Sequence, residues 1–197
     1  MESITLFDLK GNRKYLTPKE RDLFKEAAMQ EDGKTRTFCL MLLHTGCRIS
    51  EVLNLIYQNV DYSSKAVTVK TLKQRKDGVF RQIPLPEDYL DELNLVFNFK
   101  KNKNLKKFRT KLIWSWTRQG GHKKVVAIMK RAGIEGIQAT PKGLRHGFAI
   151  ACLDSQIPLN MVQKWLGHTS PTTTAIYANA LGEEERNIAR RLWDKKI

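Results

Sequence analysis

Four side chains that could act together on an anionic substrate lie near the C-terminal end of the chain: Lys142, Arg145, His168 and Tyr177. Arginine presents a planar, permanently charged fork that binds phosphate oxygens in pairs, whereas lysine offers a compact charge. Histidine exchanges a proton near neutral pH, and a tyrosine hydroxyl can act as a nucleophile. Each type is common in proteins, so the chemistry depends on whether the fold brings these residues together.

The first two of these residues lie in a predicted helix. Thr140 is placed to cap it, Pro141 suits its first turn, and apolar residues recur at helical spacing along TPKGLRHGFAIACLDSQ. Lys142 and Arg145 are three residues apart and therefore share one face. His146 follows directly, and we interpret its imidazole as structural, capping or packing within the same helix.

His168 and Tyr177 follow two shorter helical segments. One is predicted over about residues 159–166 and ends at Gly167, a residue type that favours the left-handed conformation of a C-cap. His168 is thus held just past a rigid stop. A third helical piece, opened by Ser170 and a proline, carries Tyr177 nine residues beyond the histidine.

A further arginine stands upstream in a break between two helices. The sequence LMLLHTGCRISEVLNL predicts a buried helix that includes residues 38–43, a stop at Gly46 and a second helix from about Ser50. Arg48 occupies the break. An isolated arginine beside a turn is usually structural, so its role depends on the other residues.

Between the helical regions the apolar pattern changes to a period of two, which predicts three short strands. The pattern is carried by Val60, Val67, Val69, Val79, Ile83 and Leu85. The last two strands are predicted to form a hairpin around Asp77 and Gly78. Lys70, Lys73 and Lys76 lie on or near this hairpin, where lysines ordinarily serve as edge charges that discourage aggregation.

The remaining elements are mainly helical. A capping box at Thr17 predicts a helix through about Met29, and further helices are predicted over residues 87–97 and 122–131. The basic run 100–111 is predicted to be a loop, either solvated or in contact with phosphates. Helices, a small three-stranded antiparallel sheet and then more helices make an α+β domain.

The charge of the chain indicates a polyanionic partner. The 197 residues contain 35 Lys and Arg against 20 Asp and Glu, which gives a formal net charge of +15. A membrane surface would also attract such a chain, but the sequence has no strongly basic amphipathic helix, no lipidation motif and no long apolar run. Nucleic acid is therefore the expected partner.

The cysteines indicate no disulfide or zinc site, and the N-terminus favours a cytoplasmic protein. Cys39, Cys47 and Cys152 are odd in number, widely separated and set in apolar or helical context, so neither a disulfide framework nor a zinc site is predicted. We expect buried thiols. The first residues, MESITLFDLKGNRKYL, lack a secretory signal pattern.

These segments together resemble the tyrosine recombinases, the phage-integrase family. Arg48 follows a Thr-Gly turn and precedes Ile-Ser-Glu, as in the first conserved box of that family. The second box is matched by Leu144-Arg145-His146, by Leu166-Gly167-His168 and by Tyr177 in type, order and spacing. The resemblance covers roughly residue 17 to the end of the chain.

The resemblance implies roles for these residues. Tyr177 would attack a DNA phosphodiester, form a covalent link to the 3′-phosphate and release a 5′-hydroxyl. Arg48 and Arg145 would hold the phosphate as charge develops in the transition state. His168 would donate to a phosphate oxygen or help to move the tyrosine proton. No metal or other cofactor is implied, and the sequence shows no convergent carboxylate cluster for a two-metal nuclease.

Lysine is considered at two positions of the family's motifs: on the strand hairpin and at residue 142. The family places a catalytic lysine on the strand hairpin; alternation favours Lys73 here, and the long turn keeps Lys76 as a competitor. The family's second box commonly begins with histidine, where this chain has Lys142. Lysine can still reach a phosphate oxygen, but it cannot exchange a proton near neutral pH unless its pKa is strongly lowered. We expect activity to survive this replacement.

The resemblance also implies a domain organisation. Residues 1–16 would be an N-terminal extension, 17–180 the catalytic domain and 181–197 a C-terminal helix that could dock on a neighbouring subunit of a homotetramer on double-stranded DNA. Family members usually carry a preceding helical domain that clamps the other face of DNA. Either that part lies outside this sequence, or this is a short member that relies on accessory proteins.

Three functions are compatible with these features. The first is a site-specific recombinase for integration, excision or resolution of a mobile element. The second is a relaxing enzyme similar to type IB topoisomerases, which would need no defined pair of sites. The third is a non-catalytic DNA-binding relative, which the presence of Arg48, Arg145, His168 and Tyr177 argues against.

Overall fold

The structure of the protein is a computed structural model that describes residues 5–72, 78–102, 105–179 and 183–194. Its helices in these ranges are α1 (Pro18–Met29), α2 (Gly33–Thr45), α3 (Ile49–Leu53), α4 (Glu87–Phe97), α5 (Phe99–Asn102), α6 (Lys106–Arg109), α7 (Arg118–Arg131), α8 (Pro141–Asp154), α9 (Leu159–Leu166), α10 (Pro171–Ala175) and α11 (Glu183–Trp193). Short 3-10 helices cover Tyr57–Asn59 and Ile176–Asn179. Within the described ranges, none of the helices combines the length and apolar character needed to span a bilayer.

Among the described residues, three strands form one antiparallel sheet: β1 (Val60–Asp61), β2 (Ala66–Lys70) and β3 (Phe80–Pro84). β2 lies in the middle, where Val67 pairs with Val60 on one side and Ile83 on the other. These three side chains are buried, because alternate residues point into the core. The predicted α+β class, mainly helical with a three-stranded sheet, is confirmed.

The β2–β3 hairpin is described only near its base. The backbone N–H of Thr71 donates to the carbonyl of Val79 at 2.9 Å, which continues the ladder beyond the strands. Lys73, Lys76 and Asp77, the residues of the predicted turn, lie outside the described residues. The choice between the two lysines therefore remains a prediction.

The capping signals act as the sequence indicates. Thr17 Oγ1 accepts from the N–H of Glu20 at 3.2 Å, and the Glu20 carboxylate accepts from the N–H of Thr17 at 2.9 Å. α2 ends at Gly46 with φ of 60°, and α9 ends at Gly167 with φ of 66°. Both glycines adopt the left-handed conformation, which reverses the chain before Arg48 and His168.

Two clusters of buried apolar side chains hold the elements together. The larger surrounds α2, whose Phe38 is fully buried, and takes in α1, α4, α7 and the sheet. The smaller joins α8, α9, the segment before α1 and the 3-10 helix that carries Tyr177. α8 contributes to both, with Leu144 in the larger and Phe148 in the smaller. The three cysteines are buried and free, as expected.

The basic run 100–111 is not the loop that the sequence predicts. It contains the end of α5 and all of α6 among its described residues. Phe99 is buried and its ring stacks on Tyr57 at 4.6 Å, while Phe108 meets the same tyrosine edge-on at 5.5 Å. These aromatic contacts fix short helices where lysines alone would not.

α7 begins four residues earlier than predicted, at Arg118 rather than His122. Thr117 caps it by accepting from the N–H of Gly120 at 3.1 Å. Paired glycines normally disfavour a helix, but a Cβ added at Gly121 would lie 3.1 Å from Phe38. Close packing of α7 on α2 therefore accounts for glycine inside the helix.

Candidate active site

Arg145 is buried where three segments meet. Its Nη1 donates to the carbonyl of Gly46 at 2.7 Å, and its Nη2 donates to the carbonyl of Leu166 at 2.8 Å. The first carbonyl lies two residues before Arg48, and the second lies two residues before His168. The guanidinium on α8 thus fixes both turns that carry candidate residues.

The charge of Arg145 survives this burial. The pKa of Arg145 is lowered to about 10, mainly by removal from water and also by the nearby charge of Arg48. A group with that pKa is still protonated at neutral pH. Its described hydrogen bonds go to two backbone carbonyls and to the neutral ring of His168. None of these partners is a carboxylate that would neutralise its charge.

Arg48 is the N-cap residue that precedes α3 and is held by a carboxylate. Its backbone N–H donates to Glu51 Oε2 at 2.9 Å, and its Nη1 donates to Glu51 Oε1 at 3.0 Å. The side chain of Arg48 is 26% exposed, while that of Glu51 is fully buried. The guanidinium therefore reaches the surface from an anchored base.

His168 is held on both ring nitrogens. Nη2 of Arg145 lies 3.0 Å from Nε2, and Thr174 Oγ1 lies 2.9 Å from Nδ1. Because arginine can only donate, Nε2 must accept, and the proton of the neutral ring lies on Nδ1 and points to Thr174. Burial, followed by the charges of Arg145 and Arg48, lowers the pKa of His168 to about 3. The ring is therefore neutral at physiological pH.

Tyr177 is fully buried in this conformation. Its hydroxyl lies 2.8 Å from Nδ1 of His146, and its ring stacks on His168 with centroids 6.3 Å apart. Burial raises the pKa of Tyr177 to about 12, although Arg145 and Arg48 act in the opposite direction. The hydroxyl is thus a protonated phenol, close to both arginines but enclosed by protein.

The interpretation of His146 as a residue that acts within its own helix is wrong. Its partner is Tyr177, which lies 31 residues further along the chain. Burial lowers the pKa of His146 to about 3, with Lys142 and Arg145 adding to the shift. A neutral, buried imidazole is a suitable neighbour for a buried phenol, and no local sequence signal predicts this contact.

Lys142 lies at the start of α8, one turn before His146, and its side chain is exposed. Its charge is near enough to lower the pKa of His146. Arg145, three residues later on the same helix, is buried instead. The structure thus joins Arg48, Arg145, His168 and Tyr177 in one cluster, while Lys142 is exposed and lies near His146.

This arrangement suits an anionic ester. Two guanidinium groups of different exposure can bind phosphate oxygens, and a neutral histidine and a phenol lie beside them. The phenol would supply a nucleophile once it reaches the substrate. These residues come from three separated segments of the chain, which the fold alone brings together.

Comparison with known proteins identifies the family of the chain. A model described as the phage integrase family matches residues 14–184. The chain belongs to the phage integrase family. Tyrosine recombinase XerA of Pyrococcus furiosus is 29% identical over 189 residues, which is 90% of this chain and 61% of that protein.

Solved structures agree on the fold of this phage integrase family member. A crystal structure of XerA recombinase has a TM-score of 0.76 at 24% identity, covering 92% of this chain and 66% of that one. XerH site-specific recombinase, in a post-cleavage complex with palindromic difH substrate, has a TM-score of 0.73 at 21% identity, covering 98% and 58%. The chain spans 55% to 61% of the first curated relatives that it matches.

Two residues that the sequence analysis did not select belong to the site. Glu51 holds Arg48, and a glutamate three residues after the N-cap is the acidic half of a capping-box pattern, although arginine cannot supply the other half. Arg81 on β3 binds Glu51 through two nitrogens, at 2.7 and 3.4 Å. A lone arginine in a strand carries no local signal for that partnership, which only the fold creates.

Proposed function

We propose that this chain is the catalytic part of a site-specific recombinase that breaks and rejoins DNA through a covalent 3′-phosphotyrosyl intermediate. The observation that carries the proposal is the cluster of Arg48, Arg145, His168 and Tyr177 around one point of the fold. Membership of the phage integrase family and the net charge of +15 support DNA as the substrate.

The proposed reaction conserves the phosphodiester bond energy. The Tyr177 hydroxyl loses its proton to water as its oxygen bonds to phosphorus and the bond from phosphorus to the 5′ oxygen breaks. Lys73, or its competitor Lys76, protonates the departing oxygen. Attack by a 5′-hydroxyl on the phosphotyrosine reverses the step, and a hydroxyl from another strand gives recombination without ATP.

The two arginines have distinct parts in this proposal. Both guanidinium groups bind the nonbridging oxygens, where charge accumulates in the transition state, and loss of one such contact costs about 3–4 kcal/mol of barrier. His168 keeps Arg145 oriented through Nε2. A direct proton donation from Nε2 to phosphate requires a second proton on the ring. Lys142, exposed at the edge, contacts the DNA phosphate backbone.

Tyr177 must leave its buried position before it can attack. Its hydroxyl is enclosed beside His146, and its ring is fully buried. The short α10 and the 3-10 helix that carry it contact α9 and α8, so a local displacement of this segment delivers the phenol. DNA binding is the event that supplies the energy for this displacement.

The C-terminal helix offers a surface for assembly. Leu192 and Trp193 are exposed on α11, while Arg191 approaches the Leu153 carbonyl of its own domain at 3.5 Å. We propose that these apolar residues dock on a neighbouring subunit of a homotetramer on DNA. Accessory proteins and a DNA-associated, cytoplasmic location complete the proposal. A chain ending after residue 180 should bind DNA as a monomer and fail to assemble.

A covalent-trapping experiment tests the proposed function. The protein is incubated with nicked duplex fragments from its own genetic neighbourhood in EDTA, and products are resolved on a denaturing gel. We expect a protein–DNA adduct with the wild type and none with Tyr177→Phe. An adduct on unrelated DNA, with relaxation of supercoils, would replace the recombinase by a topoisomerase-like enzyme. Tight DNA binding without adduct on any fragment would contradict an enzymatic function.

A further inference from the structure

Arg81 is a buried arginine at the back of the candidate active site. It lies on β3 and is 6% exposed. Its Nε donates to the carbonyl of Trp165 at 2.7 Å, its Nη1 to Thr71 Oγ1 at 2.9 Å and its Nη2 to Glu51 Oε2 at 2.7 Å. All three guanidinium nitrogens are therefore used, and together they reach three different segments.

The contact with Glu51 leads to the first candidate arginine. Burial tends to raise the pKa of Glu51, but the hydrogen bond and charge of Arg81, together with Arg48, outweigh burial and lower it. The carboxylate is thus ionised and is shared between the two arginines. Arg81 also lies 3.5 Å from Cys47 Sγ, in the turn that carries Arg48.

The contact with Trp165 leads to the second candidate arginine and to His168. The next carbonyl along the chain, that of Leu166, accepts from Arg145 at 2.8 Å. A Cβ added at Gly167 would lie 2.9 Å from Nη1 of Arg81. The turn that carries His168 therefore lies directly against the Arg81 guanidinium.

We propose that Arg81 is a positioning residue for the DNA-cleavage reaction, because its guanidinium sets the relative placement of the Arg48 turn and the His168 turn. The inference rests on the proposed function. Arg81 does not need to touch DNA: it acts through Glu51 on one side and through the Trp165–Gly167 backbone on the other. Thr71 adds a third attachment, at the base of the β2–β3 hairpin.

Only arginine meets these geometric demands. A lysine ammonium can satisfy Glu51, but one nitrogen cannot span a carboxylate, a hydroxyl and a carbonyl in three directions. A buried ion pair is a weak source of stability compared with packed apolar residues, so its value here is the fixed geometry. A misplacement of reacting groups by about 1 Å can lower a rate by about 10²-fold.

The test compares Arg81→Lys with Arg36→Met, which breaks the ion pair of Arg36 and Glu92 between α2 and α4. Single-turnover cleavage of saturating nicked DNA and denaturant unfolding are measured for each. We expect Arg81→Lys to cleave about 10²-fold more slowly than Arg36→Met at comparable stability. Equal rates at equal stability would overturn the proposal. Thr71→Val, which removes one attachment, keeps the test open if Arg81→Lys does not fold.

A double-mutant cycle tests whether Arg81 acts through Arg48. If it does, the combined Arg81→Lys and Arg48→Lys protein should lose less activity than the product of the two single losses. Losses that multiply would contradict that route.

Hydrogen exchange tests the positioning role of Arg81 without a measurement of cleavage. Backbone amides of residues 47–51 and 166–168 should exchange faster in Arg81→Lys, and those of α4 should not. Unchanged exchange in both segments would overturn the positioning role. If the wild type forms no adduct, the proposed function fails, and exchange still decides the role of Arg81.

Discussion

The two arginines of the site are held in opposite ways. Arg145 is 7% exposed and its described hydrogen bonds go to two carbonyls and a neutral imidazole. The Arg48 side chain is 26% exposed and pairs with the Glu51 carboxylate, which Arg81 shares. Arg145 is therefore a buried group that connects two turns and has no carboxylate among its described partners. Arg48 is a partly exposed group that is held by a buried carboxylate.

Because of this difference, loss of Arg145 should affect both stability and cleavage, whereas loss of Arg48 should affect mainly cleavage. A buried arginine that satisfies two carbonyls leaves both unpaired when it is lost, which destabilises the fold. A partly exposed arginine whose carboxylate keeps another partner can be removed at small cost. Variants of the two residues should therefore resemble each other in cleavage and differ in folding.

Arg145→Lys should show the largest effect. We expect single-turnover cleavage to fall by about 10²–10³-fold, because a lysine cannot bind phosphate oxygens as a fork. The free energy of unfolding should fall by about 1–3 kcal/mol, because carbonyls of Gly46 and Leu166 lose donors. Cleavage kinetics and urea unfolding measure the two quantities, and wild-type stability would show that these ties do not hold the fold.

Arg48→Lys should separate the two quantities. Cleavage should fall by about 10²-fold, because the lysine ammonium cannot reproduce the paired hydrogen bonds of the Arg48 guanidinium to the phosphate oxygens. The free energy of unfolding should change by less than about 1 kcal/mol, since Glu51 keeps its bond to Arg81. A loss of stability equal to that of Arg145→Lys would remove the distinction between the two arginines.

Acid should weaken the neutral network around Arg145. His168 has a pKa of about 3 when folded and 6.5 when free, so the unfolded chain binds the extra proton between these values. The free energy of unfolding therefore falls as the pH is lowered through that window. His168→Gln, which keeps an acceptor for Arg145, should reduce the slope by up to about 1.4 kcal/mol per pH unit.

The control for this measurement is His122→Gln, at an exposed residue of α7. Urea unfolding at intervals from pH 4 to 7 gives the slope for each protein. His122→Gln should keep the wild-type slope, and a wild-type slope in His168→Gln would show that His168 is not buried in solution.

Tyr177→Phe should have only a small effect on folding. It removes one buried hydrogen bond, to His146, and should lower the free energy of unfolding by about 1 kcal/mol. Tyr89→Phe is the matched control, because its hydroxyl donates to the Thr37 carbonyl at 2.6 Å in the larger core. A loss in Tyr89→Phe with none in Tyr177→Phe would place the Tyr177 hydroxyl outside its buried contact.

Local signals in the sequence were sufficient for much of the scaffold. The capping box at Thr17, the stops at Gly46 and Gly167 and the alternation of Val67 with Val69 act within a few residues, so each could be recognised. The short helices within 100–111 could not, because the contacts of their aromatic residues with Tyr57 decide them.

In the candidate site, too, residues in local motifs could be recognised from the sequence, whereas contacts between distant segments could not. Arg48, Arg145, His168 and Tyr177 were identified because their types and order match a family motif. Contacts across the fold were not identified: Arg81 meets the Trp165 carbonyl 84 residues away, and His146 meets Tyr177. Such contacts depend on how packed elements approach each other, for which sequence spacing offers no measure.

The most direct test of the account is to identify the amino acid that becomes joined to DNA. The trapped adduct is digested with protease and nuclease, and the modified peptide is sequenced by mass spectrometry. We expect one peptide in which the Tyr177 oxygen carries a 3′-phosphorylated nucleotide, with a free 5′-hydroxyl on the released strand. Attachment to another residue, or cut strands with no attached peptide, would contradict the proposed role of Tyr177.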